Sequence, residues 1–551
     1  MTGTGKAVVG VVLLALVAGG VFLLRDQLFP KSGGPKGTVD PTKVGGTVEA
    51  PDSAGITTVQ EYKYVPKDKL PPVQGASGYS FSNKVVEFPI NVWIGWLPLI
   101  AANQGAEPNE NSLFYKKYGF KVRFALIDNP VDARNAFVSG KSHVLWGTLD
   151  MMALFAPGLM KDSRTAPRIF QQIDWSSGGD GIVVRDGISE VRDLKGKTVV
   201  FAQNSPSQYY LYNLLIRSGL QPSDIKAKYT NDAFQAAKAF VSDKKVDACV
   251  SWAPDIYNIT EKVPGTRLLS TTQDANRVIT DVYAVRADFA KDHPEVVEGL
   301  VCGVFDGINW LKQSVENEKK AYAWLGGLYK FPPADVEKMK NDAYVTNFGE
   351  NCKFFLNRNS PTNFENTWKS ISYVYKTLGL IDREIPFDQV MDFSVLAKLK
   401  KDGRYAEQSQ VAATAFKPTD YEKVAEGKTP VMRQSIRIHF RPNVAELDDP
   451  ELADKLKSAA TVAGQFEAAT IAITGHCDSS MKGLADYKMV KDLSEARANA
   501  VKKILVEKNH FDPNKFVVRG KAWDEPANPD DPLNQALNRR VEIVVYPLEA
   551  K

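Results

Sequence analysis

The chain has 551 residues, of which 44% are hydrophobic and 24% charged, and its formal net charge is +4. That length calls for two or three domains with packed cores, and so small a charge excludes a nucleic-acid protein, which needs a concentrated basic surface. The five histidines and four cysteines fall in no metal-ligand spacing, so neither a metal nor a cofactor is implied.

Ala7 to Leu24 contains no charged or strongly polar side chain. At about 18 residues it is near the minimum for a membrane span. No Ala-x-Ala cleavage site follows it and no cysteine lies nearby for lipidation, so it reads as an uncleaved anchor, with cleavage as the alternative. The run holds no ionisable group, which argues against a proton-conducting role. Residues 30–84 are rich in Gly, Pro, Ser, Thr and Lys and read as a flexible linker, with Val59 to Leu70 as the part that packs on the next domain.

From residue 85 to residue 400, strand-like and helix-like runs alternate, the α/β pattern. The strand candidates are Ile90–Ile94, Val122–Ile127, Val144–Trp146, Gly181–Val184, Thr198–Phe201 and Ala248–Trp252; helix candidates include Val131–Ser139, Ser207–Ser218 and Ala233–Val241. Asp180–Val184 followed by Asp193–Lys197 is similar to solute-binding proteins of the nitrate, taurine and thiamine-precursor type, which serve ABC transporters. Ala136–Lys141 and Ala239–Ala248 echo each other as one helix–turn–strand step per lobe.

That resemblance implies a two-lobed periplasmic-binding-protein fold with a ligand cleft at strand C-terminal ends. The expected cleft residues are Trp96, Asp128, Thr148, Asp180, Asn204, Ser205, Trp252 and Asp281. Ser205-Pro206 has the N-cap and N1 residues of a helix, whose free amides suit an anionic ligand. No P-loop, nucleophile elbow or His-Glu-x-x-His is present, and a non-enzymatic binding protein is expected. His143 is the histidine nearest the cleft, and its expected role is structural. Cys302 and Cys352 either pair in an oxidising compartment or, like Cys249 and Cys477, serve as small core residues. Residues 401–434 read as a second linker.

Residues 435–551 carry three blocks in register: Gly475-His476-Cys477-Asp478, Leu493–Ala498 and Asn538–Ile543. Ile471–Ile473 alternates as a strand entering a turn, and Ser494 is placed as the N-cap of a helix over Glu495–Val506. These blocks resemble the OmpA-like peptidoglycan-binding domain, an α+β fold. The resemblance implies that Asp478 accepts the ammonium of a diaminopimelate side chain and that Arg497 grips its carboxylate, with Asn538 and Arg540 in the same site. A wall-binding domain must lie outside the cytoplasm, which makes residues 1–29 a cytoplasmic tip plus a single inner-membrane span and leaves the bulk of the chain periplasmic.

The fold class expected is therefore α/β multidomain: anchor, two-lobed binding domain and OmpA-like domain. The expected partners are peptidoglycan, a small anionic ligand acting by hinge closure, the membrane, and an inner-membrane permease or motor; nucleic acid is not one. The rival readings are a ligand- or wall-sensing accessory subunit and a purely structural membrane-to-wall tether.

Overall fold

The computed structural model describes residues 55–67, 70–411, 416–436, 445, 447, 452–528 and 530–547. The expected anchor, Ala7–Leu24, lies outside them; among the described residues no helix is long and apolar enough to cross a membrane.

The first lobe begins with the parallel pair β1 (Val85–Ile90) and β2 (Lys121–Leu126). Next to it lies a four-stranded sheet of β3 (Val144–Thr148), β4 (Pro167–Ser176), β10 (Thr280–Arg286) and β11 (Ala343–Val345), ordered β11-β4-β10-β3. His143 joins the two: its backbone N–H donates to Glu87 O at 3.1 Å, and its Nδ1 accepts from Glu87 N at 2.9 Å. Its Nε2 meets Ser80 O at 3.0 Å, so both ring nitrogens are spent on backbone. The second lobe is a five-stranded sheet ordered β7-β6-β8-β5-β9, with β5 Asp180–Arg185, β6 Thr198–Ala202, β7 Lys226–Thr230, β8 Ala248–Trp252 and β9 Thr266–Thr271. The chain crosses between lobes from β4 to β5 and returns from β9 to β10. Ser176 Oγ ties the two crossings together, donating to Asp180 Oδ2 and meeting Thr272 Oγ1, each at 2.7 Å.

The first strand differs from expectation. The sequence placed it at Ile90–Ile94, but the ladder with β2 ends at Ile90, and Ile94–Trp96 is a 3-10 turn leading into helix Leu97–Asn103. A short apolar run marks burial without distinguishing a strand from a buried turn. Gly307 of helix Pro294–Lys312 permits close packing on this segment, since a Cβ there would lie 2.0 Å from Pro98 O.

The described part of the first linker is docked on both lobes. Thr58 N donates to both oxygens of Asp255, at 2.8 and 3.0 Å, and Val65 N donates to Tyr229 O at 2.9 Å, on the second lobe. Farther on, Arg134 donates to Pro71 O at 2.8 Å and Ser77 N to Val138 O at 3.1 Å, on the first. These bonds explain why residues 55–84 are not free spacer despite their composition. The second linker is divided likewise. Gln408 Nε2 donates to Phe305 O of the first lobe at 2.8 Å, whereas Tyr421 meets Tyr546 through their hydroxyls at 3.0 Å within the C-terminal domain.

That domain is a four-stranded sheet, β12-β15-β13-β14, with β12 Met432–Ile436, β13 Ile471–Gly475, β14 Phe516–Gly520 and β15 Val541–Val545. Ile471, Ile473, Val541 and Ile543 pack with Ala459, Ala463, Ala498 and Val501 of helices Leu452–Gln465 and Tyr487–Asn509. Ala472 and Val544 face Tyr421 on the other side. The expected cap at Ser494 is not found. The helix starts two turns earlier, because Asp486 accepts from Met489 N at 3.1 Å, and Ser494 Oγ instead donates to Lys491 O and accepts from Ala522 N. The four cysteines are free thiols.

The C-terminal domain docks on the second lobe. Asn213 and Gln465 exchange amide hydrogen bonds at 3.1 and 3.2 Å. Arg277, in the β9–β10 crossing, pairs with Glu467 at 2.6 Å while its guanidinium lies over the rings of Trp175 and Tyr344. Lys515 stands behind this contact, its Nζ donating to Phe466, Glu467 and Ala469 carbonyls at 2.8 to 2.9 Å. Lys515→Met keeps the aliphatic stem and strands three buried carbonyls. The expected loss is on the order of 3 kcal/mol of C-terminal-domain stability, read by denaturant unfolding.

Candidate functional site

Two arrangements concentrate chemistry. The first lies where the lobes meet. Register places Asp281 of β10 opposite Thr148 of β3 on one side and Asp174 of β4 on the other, so three of the sheet's polar side chains form one row at the crossings. Asp180, opposite Trp252 across β5 and β8, adjoins it from the second lobe. Trp93 fills the space between: its Nε1 donates to Asp174 Oδ2 at 3.0 Å, and a Cβ on Gly179 would lie 2.4 Å from its ring. A Cβ on Gly95 would overlap Asp174 Oδ2, so glycine is required at both positions.

Further carboxyls complete the rim. Asp342 accepts from Tyr257 at 2.9 Å, and the same hydroxyl reaches Gly178 O at 2.6 Å. Asp150, in the first turn of helix Leu149–Leu159, accepts from Tyr375 at 3.1 Å. Tyr375 comes from helix Phe364–Thr377 and packs against Tyr209 of the second lobe, which closes this side. Burial pushes Asp174, Asp180 and Asp342 up to about 7 and Asp150 up to about 6. Asp281 is driven well above the carboxylate range, by burial first and then by the charges of Asp174 and Asp180. Among the described residues, no group of three or more His, Cys, Asp or Glu is placed to hold a metal.

The remaining sequence candidates sit at varying distances from this row. Trp96 is fully buried and donates to Asn91 Oδ1 at 2.8 Å within the first-lobe core; Trp93, three residues earlier, is the tryptophan that reaches the carboxyls. Asp128 accepts from Val92 N at 2.8 Å, and burial raises it to about 7. Asn204 has φ +59° and donates its N–H to Gln208 Oε1 at 3.1 Å. Ser205 precedes helix Pro206–Arg217 as expected, but its hydroxyl donates to Ala202 O and does not cap. Trp252 is buried edge-on to Phe234, and its Nε1 has no acceptor among the described residues. Trp93, Asp150, Asp342, Tyr257 and Tyr375 were not picked out from sequence. Each comes from a segment far from the others along the chain, and only the fold brings them together.

The second arrangement is at the end of β13. Asp478 Oδ2 pairs with Arg539 Nη1 at 2.8 Å, and Oδ1 accepts from Ser480 N at 2.9 Å. Burial works to raise this carboxyl, but Arg539 and Ser480 together hold it below its ordinary value. Arg497 projects from the third turn of helix Tyr487–Asn509 and reaches Cys477 Sγ at 3.6 Å. Burial lowers the Arg497 guanidinium, while Cys477 and Asp478 favour its charge. One carboxylate thus pairs with one guanidinium and acts electrostatically on a second, a set able to hold both ends of a zwitterion.

Asn538 and Arg540 are engaged inside the domain. Asn538 accepts from Ala527 N at 2.8 Å and donates to Pro532 O at 2.9 Å. Arg540 binds Glu542 at 2.8 Å and Glu525 O at 3.1 Å. Arg539, between them, is the residue that meets Asp478. Arg539 is the C-cap of the short helix Gln535–Asn538 and lies outside β15, so the alternation of that strand carried no signal for it.

Residues 439–540 match the OmpA family profile, and residues 110–317 match the family described as NMT1/THI5 like. The taurine-binding periplasmic protein of Escherichia coli is 27% identical over 264 residues, covering 45% of this chain and 78% of that protein. Outer membrane protein Omp38 of Acinetobacter baumannii is 30% identical over 135 residues, 24% of this chain and 36% of Omp38, so the chain spans about a third of that relative. The periplasmic aliphatic sulphonate binding protein SsuA from Escherichia coli aligns at a TM-score of 0.42 with 18% identity, over 56% of this chain and 92% of SsuA. The chain therefore carries an NMT1/THI5-like solute-binding domain in its middle and an OmpA-family domain at its C-terminal end.

Proposed function

We propose that the chain is a non-enzymatic envelope protein that binds a small solute between its lobes and peptidoglycan through its C-terminal domain, with Ala7–Leu24 as an inner-membrane anchor. The observation that carries the wall reading is Asp478 paired with Arg539 and favouring the charge of Arg497. Diaminopimelate ends in an ammonium and a carboxylate. Asp478 would accept the ammonium, releasing Arg539, and Arg497 would take the carboxylate by a bidentate fork.

For the cleft, the acid row modifies the expectation of a simple anion. A ligand beside Asp174 and Asp281 is best matched by an ammonium, and the amides at the start of helix Pro206–Arg217 suit an acidic group. An amino acid or aminosulfonate has both ends, and the taurine-binding relative is consistent with that class. Binding would require the lobes to part around Trp93 and close again, the hinge motion of two-lobed binders. A second reading, an accessory subunit that senses ligand or wall for an inner-membrane permease or motor, is favoured by one observation: Arg277 joins a lobe crossing directly to the wall domain through Glu467. Co-purification of a polytopic membrane protein supports that reading.

Arg497→Ala is expected to abolish co-sedimentation of the protein with diaminopimelate-containing sacculi, and Asp478→Asn to weaken it at least about tenfold. Retention of both variants on sacculi refutes the wall site. The acid row predicts a pH dependence of stability. Its carboxyls ionise near 3.9 in the unfolded chain but only around 6 to 7 or above when folded, so the folded state binds more protons across that window. Stability is therefore present at the acid end and lost as pH rises from about 4 towards 7, at up to about 1.4 kcal/mol per unit for each carboxyl. His143 and His476, both lowered to about 4 chiefly by burial, act in the opposite sense but are outnumbered. The melting temperature is expected to be higher at pH 5 than at pH 8, with a shallower dependence in Asp281→Asn.

A further inference from the structure

A cavity of about 400 Å³ lies between helix Pro206–Arg217 of the second lobe, helix Phe364–Thr377 and helix Leu452–Gln465 of the wall domain. It is separate from the acid row at the lobe crossings, and its volume suits a small organic molecule. Arg217 forms part of its wall and is only 6% exposed. Its Nη1 donates to Ser458 Oγ at 2.9 Å and its Nη2 to Ser370 Oγ at 3.1 Å, and its Nε has no acceptor among the described residues.

Arg134 is likewise buried with bonds to neutral oxygens only, but two other buried arginines differ from Arg217 in one respect. Arg286 faces Asp288 at 2.7 Å and Arg540 faces Glu542 at 2.8 Å, whereas both bonds of the Arg217 guanidinium go to neutral hydroxyls. A buried guanidinium without a carboxylate is costly unless an anion joins it. Burial lowers its affinity for the proton, and the groups that counter this are the hydroxyls of Tyr209 and Tyr373, not an acid.

The other charges around the cavity can be accounted for. Arg277 is paired with Glu467 and Lys369 with Glu365, so both are already neutralised. That leaves Arg217 and Lys457 against Asp454, the single carboxylate in the lining, a balance of one positive charge. Ser458 supplies a donor as well. Its oxygen accepts from Arg217 and, at 2.7 Å, from Gln434 Nε2, which leaves its own proton to give.

We propose that this cavity is a second small-molecule site, specific for an organic monoanion with a carboxylate or sulfonate head held by Arg217 and the Ser458 hydroxyl. Because Arg217 belongs to the second lobe and Ser458 to the wall domain, the bound anion fastens one to the other. Tyr209 borders both this cavity and the cleft, but the anion-holding residues Arg217 and Ser458 belong to neither the acid row nor the Asp478 site, and the site holds or fails independently of both.

The test is isothermal titration of the full chain with propanesulfonate, butanoate, inorganic phosphate and propylamine. Saturable binding of propanesulfonate or butanoate is expected, with phosphate weaker and propylamine inert. Arg217→Gln and Ser458→Ala are each expected to weaken the monoanion by about tenfold or more, and Asp281→Asn to leave it unchanged. Ser458→Ala decides the matter if Arg217→Gln does not fold. The proposal is overturned by the absence of saturable monoanion binding, or by binding that survives Ser458→Ala. It is equally overturned by binding that Asp281→Asn abolishes, which would place the ligand in the lobe cleft.

Discussion

The pairing of Arg277 with Glu467 is the interaction on which the arrangement of the whole chain turns. Arg277 sits in the segment that returns from the second lobe to the first, and its guanidinium lies over Trp175 and Tyr344, which belong to strands β4 and β11 of the first-lobe sheet. Glu467 belongs to the C-terminal domain, and Arg277, Lys353 and Lys515 hold its carboxyl below its ordinary value against its burial. A partly buried ion pair of this kind adds little net stability over an apolar contact, but removing one partner is expensive because it strands the other. Its effect is therefore specificity: it fixes where the C-terminal domain sits relative to the lobe crossings. The reciprocal amide pair of Asn213 and Gln465 adds direction to the same contact.

That docking couples the two family-matched domains of the chain. A parting of the lobes would change the crossings, and the crossing that carries Arg277 is bonded to the C-terminal domain. Any state in which the two lobes part either keeps that bond and carries the C-terminal domain along or breaks it at a cost of about 3 to 5 kcal/mol. The linker stretch from Gly55 to Lys84 adds a second restraint, since Thr58 and Val65 are fixed to one lobe and Pro71 and Ser77 to the other. Both restraints lie outside the row of buried carboxyls, whose burial favours their protonated form. A hydrogen-bonded, protonated Asp281 beside Asp174 costs far less to bury than two carboxylates.

Much of the architecture was legible in the residues. Strand Ala248–Trp252 and helix Ala233–Ser242 appear almost as read, because β-branched and apolar runs bounded by turns, and alanine-rich amphipathic runs, announce themselves locally. The three blocks of the C-terminal domain pointed to Asp478 and Arg497 and missed Arg539, since adjacent arginines look alike until the fold brings one of them against Asp478. The helix start was misplaced at Ser494 because a serine before Glu-Ala has the composition of a cap, while the backbone N–H it meets belongs to Ala522, distant in sequence. Composition likewise made residues 55–84 look like spacer; their hydrogen bonds go to partners more than fifty residues away.

The sequence by itself determined the order of the two family-matched domains, the alternation of strands and helices, and the motif blocks around Asp478 and Arg497, because periodicity and short motifs act over a few neighbouring positions. Tertiary structure alone decided which carboxyls share one row, which arginine meets Asp478, and that the C-terminal domain rests on the second lobe through Arg277 and Gln465. Those outcomes depend on strand register and on contacts between segments hundreds of residues apart, and no local pattern encodes either.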